Sequence, residues 1–93
     1  MKFMLTFSWQ TDIHTRDQAV ERFRKSGGRT PEGVVLLGRW TRADLSGGTV
    51  LLESDDPGKL TEFAYAWSDL MKLEIAPVVE DDVLSAVFES VAT

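Results

Sequence analysis

The chain carries a single histidine, His14, and no cysteine. A lone imidazole titrates near neutral pH and can serve as a general base, so His14 is the one candidate for a catalytic proton carrier. Its plain alternative is a surface residue in the turn after the first strand. Without a second His or any Cys, a histidine-rich or thiolate metal site cannot be built within one chain. No metal and no cofactor are expected. Arg39 and Glu53 fall inside apolar runs, where an unpaired charge is costly. If the hairpin between them closes symmetrically about Ser46, they face each other on one side of a sheet. One reading makes them a cross-strand ion pair that fixes register at an interface between copies. The other makes Arg39 an anchor for an anion or carboxylate in a pocket. Glu74 is placed to join either network.

Three tryptophans add large apolar bodies with one N–H each. Trp9 and Trp40 lie toward strand ends, where they line a small-molecule pocket or fill an ordinary core. Trp67 lies on a helical stripe and reads as packing. The glycine pairs are not phosphate cradles: Gly27-Gly28 lacks the spacing and trailing Lys-Ser/Thr of a P-loop, and Gly47-Gly48 sits in a hairpin. The aspartates at 55–56 and 80–82 suit helix starts, and the alternating ligands of a calcium loop are absent.

These residues must be held by elements that the patterning identifies. Phe3 to Trp9 sets Phe, Leu, Phe and Trp on one parity against Met, Thr and Ser on the other, as a strand does, and Gln10 to His14 is a polar turn. Thr15-Arg16-Asp17-Gln18 fits a capping box, opening a helix that runs to about Ser26 on a narrow stripe of Ala19, Val20 and Phe23. Gly27 and Gly28 end it. Residues Val34 to Thr41 form a second strand, Asp44 to Gly48 a turn, and Thr49 to Glu53 a third strand, making a hairpin. Asp55-Asp56-Pro57 opens a second helix, with Leu60, Phe63, Ala64, Trp67, Leu70 and Met71 at helical spacing. Lys72 to Val79 is a fourth strand, and Pro77 assigns it to an edge. Glu80-Asp81-Asp82 then opens a C-terminal helix with a stripe of Val83, Leu84, Val87, Phe88 and Val91.

The order β-α-β-β-α-β-α with right-handed crossovers gives an α+β, ferredoxin-like domain over residues 1–93. Its four-stranded antiparallel sheet has the order 4-1-3-2, and a C-terminal helix follows. Ninety-three residues make one domain. The formal net charge of −5 argues against nucleic-acid backbone binding, and no run approaches the ~20 apolar residues of a membrane span. The default is a cytoplasmic protein. Charge is uneven: residues 1–42 balance to +4 and residues 43–93 to −9. Acids capping helices explain this plainly; surfaces of opposite sign meeting between two copies would also produce it.

Both helices of the β-α-β units fall on one face, yet the strands are apolar on both parities. Each Val or Leu left in water forgoes roughly 1.5–3 kcal/mol of burial, so the second face needs a cover. A second copy, sheet against sheet, covers more of it than one short helix does, and a homodimer is the expected assembly.

Met1-Lys2-Phe3-Met4-Leu5-Thr6-Phe7, Pro31-Glu32-Gly33-Val34, Leu37-Gly38-Arg39-Trp40, Ser46-Gly47-Gly48 and Glu62-Phe63-Ala64 with Trp67-Ser68-Asp69-Leu70 resemble small bacterial proteins grouped as domain of unknown function 3303. The likeness spans nearly the whole chain and includes Pro77-Val78-Val79 before the acids. It implies the dimeric α+β barrel arrangement, in which two ferredoxin-like sheets pair. Relatives of that fold include cofactor-free monooxygenases and amino-acid-binding regulators, and the family itself carries no activity to transfer. The resulting expectation is a homodimeric small-molecule-binding domain, open to cofactor-independent chemistry on a hydrophobic or carboxylated metabolite. Its alternative is a non-catalytic dimerisation or regulatory module.

Overall fold

The computed structural model describes residues 1–9 and 13–92. Its elements run β1 (Lys2–Trp9), α1 (Ile13–Ser26), β2 (Val35–Thr41), β3 (Gly47–Glu53), α2 (Pro57–Trp67), β4 (Met71–Val78) and α3 (Asp81–Val91). The sheet has the order β2-β3-β1-β4, and every neighbouring pair is antiparallel. This is the expected ferredoxin-like arrangement. Pro77 lies on edge strand β4, where its missing N–H breaks no ladder on the free side.

Alternation along the strands divides the sheet into two faces. Leu5, Phe7, Val50, Leu52 and Met71 point toward α1 and α2 and form the core with Ala19, Leu60, Phe63 and Leu70. Phe3, Trp9, Leu73 and Ile75 flank it. The other face carries Met4 and Leu51 at its centre, with Trp40, Glu53 and Glu74 around them, and no helix covers it.

α2 starts as its sequence requires. Asp56 is the N-cap and accepts from the Lys59 amide at 3.2 Å, with Pro57 at the first helical position. Leu70 and Met71 lie beyond its end, in the turn and first residue of β4. α1 begins earlier than its capping-box pattern suggests. Ile13 and His14 are already helical, so Thr15 sits inside the first turn and His14 is a helix residue. The rest of the expected Gln10–His14 turn lies outside the described residues.

The hairpin corrects a second expectation. A bulge between Leu36 and Gly38 and a loop over residues 42–46 place Arg39 opposite Val50, three positions from Glu53. Because side chains alternate, an odd offset puts two residues on opposite faces. Arg39 therefore points to the helices, whereas Glu53, level with Val35 and Lys2, points to the uncovered face. The two are not a cross-strand ion pair.

α3 extends away from this body and buries none of its residues. An ion pair between Lys2 and Glu80 holds its approach. No helix among the described residues is long and apolar enough to cross a membrane.

Candidate functional site

Between α1, α2 and the helix-facing side of the sheet lies a cavity of about 380 Å³. Its origin is local. α2 seats Leu60 and Phe63 against the strands, whereas α1, three residues longer, buries only Ala19. A small alanine at the contact leaves the helix without bulk to fill the space beneath its C-terminal half. Val20 and Phe23, the rest of its narrow stripe, become a wall and stay partly exposed.

The floor is sheet: Leu5, Phe7 and Trp9 from β1, Val50 from β3, Met71 and Leu73 from β4. Phe63 and Trp67 close the α2 side, and Leu45 reaches in from the β2–β3 loop. Phe7 and Trp9 meet edge to face, with ring centroids 5.6 Å apart. α1 is fixed to the end of α2 by Arg22. Its two terminal nitrogens lie 2.9 and 2.8 Å from the Asp69 carboxylate oxygens, and Nη1 also donates to the Ala66 carbonyl at 2.9 Å. The same guanidinium sits 5.5 Å from the centre of the Trp67 ring. The hydrogen bonds from Arg22, above all, hold the Asp69 carboxyl below its usual range.

Two polar side chains, Arg39 and Thr41, line this otherwise apolar chamber. The half-buried Arg39 projects from β2 with its Cζ 5.0 Å from the centre of the Phe23 ring. Its Nη1 donates to the Gly27 carbonyl at 3.4 Å. Among the described residues no carboxylate pairs with it. The indole N–H of Trp9 is buried and has no hydrogen-bond partner among the described residues. Arg39 can only donate, so its place on the lining calls for an acceptor.

The candidates singled out in the sequence separate accordingly. Arg39 and Trp9 meet in the cavity. Trp40, one residue from Arg39, points the other way: its ring lies across Gly38 on the uncovered face, and it is 60% exposed. Glu53 and Glu74 share that face, and Glu74 sits 3.9 Å from Lys72. His14 is exposed on the outer side of α1 beside Asp17, Gln18 and Glu21, and is not among the residues lining the cavity. Among the described residues no cluster of three or more His, Asp or Glu could hold a metal ion.

Sequence reasoning missed Phe23, Gly28, Leu45 and Trp67 as parts of a site. Phe23 and Trp67 carried the signal of core stripes, and a stripe over a hollow is patterned like one over a filled core. Gly28 and Leu45 act through backbone conformation, which periodicity does not report.

The family model described as Domain of unknown function (DUF3303) matches residues 1–92. Among solved structures the fold is similar to that of Rv0793 from Mycobacterium tuberculosis, with a TM-score of 0.53 and 11% identity, covering 87% of this chain and 99% of that one. At that identity the likeness is one of fold. No curated protein matches the sequence.

Proposed function

This chain belongs to the DUF3303 family, and from that starting point we propose that it is a homodimeric small-molecule-binding domain. Its ligand is a hydrophobic or carboxylated metabolite, held in the cavity between sheet and helices. The observation that carries this reading is the cavity itself: about 380 Å³, walled by aromatic and aliphatic side chains, with the Arg39 guanidinium on its lining. That volume lies within the range of small-ligand sites, and such sites pair apolar walls with a few placed polar groups. The same chamber would serve a cofactor-independent enzyme if the bound metabolite supplied its own reactivity. Family likeness and the cysteine-free composition support a place in the bacterial cytoplasm.

A second reading, a dimerisation or regulatory module without a ligand, draws on the uncovered sheet face. A thermal-shift screen against a metabolite library separates the two. Binding predicts that apolar acids raise Tm by several degrees, and that Arg39→Ala removes the response while the assembly persists. A flat screen, or loss of the dimer on Arg39→Ala, favours the module.

A further inference from the structure

We infer that Gly28 is the specificity-determining residue of this cavity: it keeps open a seat in which Arg39 takes the carboxylate of an apolar organic acid. This deepens the binding reading and rests on it.

A guanidinium carries five N–H donors and remains charged at any physiological pH. Arg39 uses one of its nitrogens on the Gly27 carbonyl, at a long 3.4 Å. One face of its plane is against Phe23. The Gly27 carbonyl lies just past the end of α1, where helix carbonyls concentrate negative charge, and this orients the fork. The remaining donors border a chamber whose other lining is almost wholly apolar. A charge so placed calls for a counter-charge. A single fork matches one carboxylate, bidentate and planar; a phosphate dianion would need further donors, and the described lining offers no second cation.

Gly28 makes this seat. It is buried, has φ +62°, and a Cβ built on it would overlap Arg39 Nη1 and fall 2.9 Å from the Phe23 ring. Any side chain there pushes the guanidinium off Phe23 and out of line with the cavity.

Isothermal titration calorimetry with the full-length protein tests this directly. The probes are 2-naphthoate, 2-methoxynaphthalene and naphthalene. The two neutral probes are expected to bind at least about tenfold more weakly than the acid. Arg39→Gln should erase that difference, and Arg39→Lys, which keeps charge but lacks the fork, should reduce it. Gly28→Ala should cut acid affinity as Arg39→Gln does. Gly33→Ala imposes a left-handed backbone penalty at least as large (φ +92°) with its nearest neighbour at an ordinary 3.7 Å, so it should leave the acid preference intact.

Neutral and acidic probes binding equally, with Arg39→Gln unchanged, overturns the acid assignment and leaves the cavity reading standing. Acid affinity unchanged in Gly28→Ala overturns the role of Gly28. Failure of every probe to bind overturns the binding reading itself.

Discussion

Leu45 is the only non-glycine among the described residues with a left-handed backbone, at φ 62°. That conformation costs an ordinary L-residue about 1–2 kcal/mol. Its neighbours impose it. The Leu45 amide donates to the Arg42 carbonyl at 2.9 Å, and Asp44 accepts from the Ser46 amide at 3.0 Å and hydroxyl at 2.7 Å. The Ser46 hydroxyl, then Arg42, holds the Asp44 carboxyl far below its usual range. The strained residue is also the one whose side chain reaches the cavity. A glycine here would relieve the strain, against an entropic cost of about 0.5–1 kcal/mol. Leu45→Gly is accordingly expected to hold or raise Tm in a thermal scan while weakening 2-naphthoate binding several-fold by calorimetry. A lower Tm with unchanged affinity would show that the leucine serves the loop and not the chamber.

At the level of elements, the α1–α2 latch makes a pH prediction. Asp69 has a depressed folded-state pKa, first because of its hydrogen bonds from Arg22. A depressed carboxyl contributes stability that is present above its unfolded value, about 3.9, and is lost as pH falls through the folded one. Tm measured from pH 6 down to pH 2.5 should therefore fall more for the wild type than for Asp69→Asn, and the two curves should converge at the acid end. Parallel curves would show that the latch contributes nothing. The pair is solvent-exposed, so the gap will be small and smaller still in high salt.

The same elements mark what could be read beforehand. Strand order followed from crossover handedness, and the proline at position 77 independently placed β4 at an edge. Asp56-Pro57 marked the start of α2 because cap chemistry is local. The hairpin register was not legible: it depends on a bulge and on where a five-residue loop turns, and an odd slip there moved Arg39 from the face of Glu53 to the face of the cavity. The cavity was hidden for a related reason. Ala19, Val20 and Phe23 announce an apolar helix face, but not whether anything fills the space below it.

For the whole molecule, shape is informative. The Cα radius of gyration is 15.5 Å and the longest dimension 54 Å. A compact domain of this length would have a radius of gyration of about 12 Å. The excess comes with α3, an eleven-residue helix whose Val83, Leu84, Val87 and Phe88 are exposed. The uncovered sheet face adds the partly exposed Met4, Leu51 and Trp40. Two apolar surfaces on one small chain are expected to be satisfied by a second copy, whose two-fold symmetry answers both at once. Sedimentation at micromolar concentration should give twice the chain mass. Leu51→Glu, placing a charge at the centre of the face, should shift it to the single-chain mass while leaving the far-UV spectrum unchanged. A wild-type monomer would sink this assembly.

The three tryptophans are divided by the sheet. Trp9 and Trp67 border the cavity, and Trp40 stands on the outer face. The chain thus carries two built-in optical channels. A quenching ligand should dim the two indoles that border the cavity and spare the outer one. Dilution below the assembly threshold should shift Trp40 alone. Trp40→Phe would make the protein report only on its interior, and its occupancy could then be followed by fluorescence without a label.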